Sequence, residues 1–215
     1  MIQSFGAAEV WQLIISIKWT IALSLLTFAA GIVGGLLVAL ARVSRVHATR
    51  AIATAYVRLF QGTPLMILLL LAFFAPPAFF GIDVSPWTAA PLSFTLYASA
   101  GAGEILRSAI LAIPRGQTDA ARLLGLNRTQ RWVHVVLPQA LMTALPALVG
   151  FAIQLIKATS LASAIGFIEL AHTAEIVNSR TFRPFTTFAL VAVIYFAMCW
   201  PLSLAGKRIE QRRLT

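Results

Sequence analysis

The stretch WTIALSLLTFAAGIVGGLLVAL, Trp19 to Leu40, holds no charged side chain. A helix of about 20 apolar residues, at 1.5 Å per residue, crosses the roughly 30 Å hydrocarbon core of a bilayer. The stretch therefore reads as a membrane span. Working outward from it, four more apolar runs follow, at roughly Ile52–Phe74, Leu92–Ile113, Val133–Ile156 and Phe185–Leu204. The composition agrees, with 59% hydrophobic and 11% charged residues, where a soluble domain carries about 25% charged. The expected fold is all-α, a polytopic membrane bundle of about five transmembrane helices. With no internal repeat and no low-complexity linker, residues 1–215 are expected to form one domain.

Flanking segments refine this. Val10–Lys18 reads as an interfacial lead-in or a tilted extension of the first span. Gly31, Gly34 and Gly35 either let a neighbouring helix approach closely or reflect how common glycine is in membrane helices. Gly62-Thr63-Pro64 breaks the second run, freeing backbone groups that are tolerated only beside protein or a cavity. Ala75 to Pro91, with Pro76, Pro77, Pro86, Pro91, Gly81 and Asp83, reads as an outer loop.

The net charge is +10, from 17 Lys+Arg against 7 Asp+Glu. The basic residues fall on alternate connections: Arg42, Arg45 and Arg50, then Arg115, Arg122, Arg128 and Arg131, then Lys207, Arg208, Arg212 and Arg213. The opposite connections hold only Lys157, Arg180 and Arg183. Basic loops stay in the cytoplasm, so the N-terminus is expected outside and the C-terminus inside. The same distribution argues against nucleic acid, which needs a basic stripe with exposed aromatics. MIQSFGAAEV lacks a basic leader, so no cleavable signal peptide is expected. The lone Cys199 and the scattered His47, His134 and His172 offer no disulfide framework or metal spacing.

Charges at membrane depth are costly and either pair or line a cavity. Glu104 and Arg107, three residues apart, share a helix face, and Arg58 either snorkels or faces a path. Between the third and fourth spans lies DAARLLGLNRTQRWVHVVLPQAL, Asp119 to Leu141. Pro114 can start a helix there. Ala120, Ala121, Leu123, Leu124 and Leu126 give it an apolar face, and Gly125 a stop. The small residues leave a flat surface on which another protein can dock, or the helix floats on lipid.

The spacing Asp119-Ala120-Ala121, Gly125, Val135, Leu137-Pro138 resembles the cytoplasmic signature loop of permease subunits of bacterial ABC importers. Asp119 stands where that family usually has Glu, and Val135 where it often has Ile. LFQGTPL (59–65), EILRSAILAIPRGQ (104–117), IKATSLASAIGFIEL (156–170) and TFRPF (181–185) extend the resemblance to the subfamily importing polar amino acids. The resemblance implies a coupling helix over 114–126, with Asp119, Ala120, Ala121 and Gly125 docking an ATPase. It implies a translocation path near Gln61, Thr63, Lys157, Thr159 and Ser160, although the family commonly has Glu at position 58 and Arg at 61. It also implies two ATP-binding cassette subunits, a second copy or similar permease, an extracytoplasmic solute-binding protein and a bacterial inner-membrane location. No GxxxxGK[ST] loop occurs, so this chain is not expected to be an enzyme or to carry a cofactor; ATP and Mg would sit in the partner. An ion-coupled secondary transporter, expected to show inverted repeats, and a non-transporting membrane scaffold are the alternatives.

Overall fold

The structure, a computed structural model, describes residues 4–214, with side chains described as far as Gln211. Arg212 and Arg213 of the basic tail, and Met1 to Gln3 of the N-terminal reading, lie outside those described side chains. Among the described residues nine α-helices follow in order: α1 (Ala7–Arg42), α2 (His47–Gly62), α3 (Leu65–Phe80), α4 (Pro86–Ala112), α5 (Arg115–Leu123), α6 (Arg128–Arg131), α7 (Leu137–Ala158), α8 (Leu170–Thr181) and α9 (Pro184–Leu214). A π turn (Trp132–Val136) joins α6 to α7, and a 3-10 segment (Thr159–Ile165) follows α7. The described residues contain no strand.

Three rods are long and apolar enough to cross a membrane singly: α1, the Arg128–Ile165 run and α9. Two bent pairs, α2–α3 at 98° and α4–α5 at 63°, bring the number to five if each counts as one span. The five apolar runs in the sequence thus each have a counterpart, the expected break at Gly62-Thr63-Pro64 is present, and the expected outer loop over 75–91 is the one correction. Of the two readings of Val10–Lys18, the structure has the extension: the segment is part of the continuous 36-residue α1, about 54 Å long. The second run is two helices, because Pro64 has no N–H to continue the ladder and disfavours helical backbone at Thr63; Thr63 is extended at ψ 134°. Most of Ala75–Pro91 is helical. Pro86 opens α4 at a position whose N–H would be unpaired anyway, and Pro76 and Pro77 sit in the last turn of α3, closed by Gly81 at φ 66°.

The main core forms where α1, α3 and α7 pack around α4, on Leu69, Phe94, Ala98, Ala102, Leu106, Ala144 and Leu155. The glycines of α1 press against α4. A methyl group on Gly31 would meet Ala98 Cβ at 2.5 Å, and one on Gly35 would meet the backbone nitrogen of Gly103 at 2.8 Å. These glycines therefore serve close approach. A smaller core of Leu13, Leu170, Ala174, Val177 and Val191 joins the first third of α1 to α8 and α9.

Gly35→Val should cost about 1–3 kcal/mol through overpacking against backbone that cannot give way. Gly150→Ala, with nothing within 4 Å of the added carbon, should change stability by less than about 1 kcal/mol. Thermal unfolding of the two variants in the same detergent compares them; equal midpoints would show that the α1–α4 seam is not tight.

Candidate functional site

The signature segment folds by local rules. Pro114 occupies the cap position before α5 rather than its first turn. At the far end Gly125 takes φ 78°, a left-handed conformation cheap only for glycine. The Gly125 N–H donates to Arg122 O (3.0 Å) and the Leu126 N–H to Ala121 O (3.2 Å), the paired bonds of a Schellman stop. Asn127 then caps α6: its Oδ1 accepts from the Gln130 N–H, and the Asn127 N–H donates to Gln130 Oε1, both at 2.9 Å. The π turn precedes Pro138, which has no N–H for the carbonyl one turn back.

The structure divides the expected apolar face of α5. Ala121 points inward and is 3% exposed, whereas Leu123 and Leu124 are 90% and 81% exposed. Asp119 and Ala120 are exposed, and Leu126 is half-buried. The small residue at 121 thus lets α5 lie against the bundle, and the outward surface is made by Ala120, Leu123 and Leu124. Gln139 on α7 donates to Gln117 Oε1 on α5 at 3.2 Å, a tie the sequence alone does not reveal. The arrangement is a short helix fixed to the bundle on one side and offering large apolar side chains on another.

The residues expected along a path fall into two groups. Gln61, at the end of α2, donates to Tyr97 O on α4 at 2.9 Å, and Thr63 is half-buried at the bend. Lys157 is exposed on α7, and Ser160 is half-buried and donates to Lys157 O at 2.8 Å. Thr159 is fully buried and donates to Ile156 O at 2.7 Å, so it holds the chain's turn into the 3-10 segment. An open cavity of about 380 Å³ between α4 and α7 carries Glu104 and Ser108 among small apolar side chains. Glu104 pairs with Arg42 of α1 as well as with Arg107, at 3.6 Å; the neighbour on its own helix is not its sole partner.

One group escaped the sequence reading as a site. Glu169 is 0% exposed. Its carboxylate accepts the N–H groups of Ala171 (2.9 Å) and His172 (2.8 Å), capping α8, and the Tyr195 O–H of α9 at 3.1 Å. Next to it, Thr20 Oγ1 of α1 accepts the Leu170 N–H at 3.2 Å. Trp19, Trp87 and Phe167 cluster by ring contacts of 4.7 and 4.4 Å. An acid immediately before a helical run is a capping signal, but its Tyr195 partner is 26 residues away. Among the described residues no three His, Cys, Asp or Glu side chains gather to hold a metal ion.

A surface helix locked to an all-α membrane bundle by a glycine stop defines a class, and the sequence comparisons name it. Residues 31–215 match the family described as binding-protein-dependent transport system inner membrane component. The chain belongs to that family; it is a permease subunit of an ABC-type importer and hence a membrane protein. It is similar to the L-cystine transport system permease protein TcyB of Bacillus subtilis strain 168, at 35% identity covering 97% of this chain and 93% of that protein. It is also similar to the probable amino-acid ABC transporter permease protein YckA of the same strain, at 39% identity over 85% and 80% of the two chains. Among solved structures it resembles the crystal structure of an amino acid ABC transporter with histidines, with 32% identity, a TM-score of 0.88 and 94% of both chains covered.

Burial raises the pKa of Glu169 against the downward pull of the bonds from Ala171, His172 and Tyr195. The folded chain therefore holds this proton to higher pH than the unfolded chain. The stabilisation is complete below the unfolded carboxylate value of about 4.3 and is lost as pH rises through the raised folded value. Glu169→Ala should cost about 1–2 kcal/mol at mildly acidic pH, through the lost cap. It should also flatten the fall of thermal midpoint with rising pH; the same slope in variant and parent would sink this account.

Proposed function

We propose that the chain forms the translocation path of an ATP-driven, binding-protein-dependent importer of a polar amino acid or related solute. The basic end of the bundle faces the cytoplasm, with the N-terminus outside. There α5 docks one of two ATP-binding cassette subunits, each binding ATP and Mg; a second copy of the chain, or a similar permease, completes the pair. A solute-binding protein delivers at the other face. The chain, a single permease domain over 1–215, does no covalent chemistry itself.

The observation that carries this reading is α5. Leu123 and Leu124 stand almost fully exposed on a helix whose Ala121 is packed inward. Exposed leucines beside lipid are ordinary, but these sit at the basic end, on a helix bent 63° away from α4. Apolar side chains presented there gain most by entering a partner's cleft. The amino-acid preference rests on the relatives named above. For the path itself, Gln61, Thr63, Lys157, Thr159 and Ser160 remain the proposed residues, together with Glu104 at the α4–α7 cavity. Asp119, Ala120, Ala121 and Gly125 are assigned to coupling: Ala120 on the docking surface, Ala121 in seating the helix, Gly125 in ending it and Asp119 at its exposed flank.

Leu123→Glu/Leu124→Glu should leave insertion intact, abolish co-purification of an ATPase and abolish uptake. Isolation in mild detergent with an ATP-turnover assay reads both steps. A variant that retains its ATPase overturns the docking role. A parent chain that transports with no ATPase attached favours the ion-coupled alternative, and one that assembles without transporting favours the scaffold. Thr63→Leu and Ser160→Leu variants that insert should lose most uptake; unchanged rates in both would remove those residues from the path.

A further inference from the structure

At the basic end, five arginines line one pocket of about 460 Å³: Arg45 from the α1–α2 turn, Arg115 and Arg122 from α5, and Arg128 and Arg131 from α6. Asp119 is the single carboxylate facing them. The ion pairs among the described residues involve Arg42, Arg107 and His172, not these five arginines. The pocket floor is apolar, built from Ile110, Leu111, Trp132 and Val136.

We propose that this pocket binds the phosphate-bearing headgroup of an anionic phospholipid. Basic loop residues need only be near the membrane to set orientation; they have no reason to converge. Here three separate segments bring five basic residues to one concavity against a single acid, which calls for a counter-anion. The planar guanidinium fork matches phosphate oxygens, and basic pockets beside membrane helices take lipid headgroups. A soluble phosphate would gain nothing from a tryptophan and aliphatic floor, whereas the glycerol and first methylenes of a lipid would. The pocket also lies at the ends of α1 and α4, where a span meets the headgroups.

The face of α5 involved is not the one that presents Leu123 and Leu124, although Asp119, at the flank, borders both. Arg115, Thr118, Asp119 and Arg122 line the pocket, at the i, i+3, i+4, i+7 spacing of one helical face, while Ala120, Leu123 and Leu124 face elsewhere. A bound lipid would thus tie α5 to α1 and α6 and leave the leucines available. The inference stands apart from which solute is carried.

The test is native mass spectrometry of the permease in whatever assembly it purifies with, titrated with phosphatidylglycerol and, separately, phosphatidylcholine. Saturable binding of phosphatidylglycerol alone is expected, and millimolar inorganic phosphate should not displace it. Arg128→Ala/Arg131→Ala should weaken binding about tenfold or more, and Lys207→Ala/Arg208→Ala, outside the pocket, should not. Unchanged affinity in the Arg128/Arg131 variant overturns the proposal. Displacement by inorganic phosphate shows a soluble-anion site and overturns the lipid assignment, as does exclusion of lipid by a bound partner protein, which would give the arginines to that partner. Asp119→Asn removes the opposing carboxylate without changing the pocket's size and should tighten binding about fivefold. If it does not, the proposal fails even where the double variant does not assemble.

Discussion

The bundle depends on how closely α1 approaches α4. Lipid tails are as apolar as leucine, so greasy helices gain nothing from hiding from them, and association has to come from packing and polar contacts. Gly31 and Gly35 on one helix, with Ala98, Ala102 and Gly103 on the other, remove the side chains that would hold the axes apart. Many weak dispersion contacts then act along the whole seam. The approach also decides which polar groups meet. Arg42 pairs with Glu104 where the helices are already close: Gly35 lies two turns before Arg42, and Gly103, which Gly35 approaches, is next to Glu104. Tyr56 of α2 completes the assembly from the other side, bonding to Ser99 Oγ at 2.6 Å and Leu96 O at 2.9 Å.

What the seam fixes at the basic end is the position of α5. A docking helix can transmit force only if it is rigidly joined to what must move. Here α4 runs directly into α5 at a 63° bend, Ala121 packs inward, Gln117 and Gln139 join α5 to α7, and the Gly125 stop sets the exit. Displacing α5 therefore displaces the ends of α4 and α7 together. Those two helices flank the open cavity carrying Glu104 and Ser108, so motion at the proposed docking surface would reach the proposed path through packed backbone rather than through a flexible loop.

Much of this was legible because its cause is local. Apolar runs give spans, Pro64 gives the 98° bend, and a glycine after a short amphipathic run gives the end of α5. Proline density over 75–91 suggests a loop, but position decides: Pro86 at a first turn and Pro76-Pro77 at a last turn do not oppose helix. The direction of Ala121 depends on which side of α5 meets the bundle, and composition alone does not carry that. Partners far apart in sequence were invisible for the same reason: Glu104 with Arg42, Gln139 with Gln117, Glu169 with Tyr195.

The two ends of the molecule handle charge in opposite ways, and this bears on how they work. At the basic end Arg45, Arg115, Arg122 and Arg128 are exposed and Arg131 is half-buried around a pocket, and none of them takes part in an ion pair among the described residues. At the other end Glu169 is buried, and both its oxygens are committed to the α8 cap and to Tyr195. A buried, hydrogen-bonded carboxylate cannot lose one partner cheaply. So α8 cannot swing away from α9 without either carrying Tyr195 with it or exposing the acid. The Leu170 N–H bond to Thr20 extends the same constraint to α1. The 3-10 segment between α7 and α8 is held as firmly, with Ala162 and Ile165 in the main core and Gly166, at φ 78°, setting the turn, so α8 is tied to the bundle at both its start and its side.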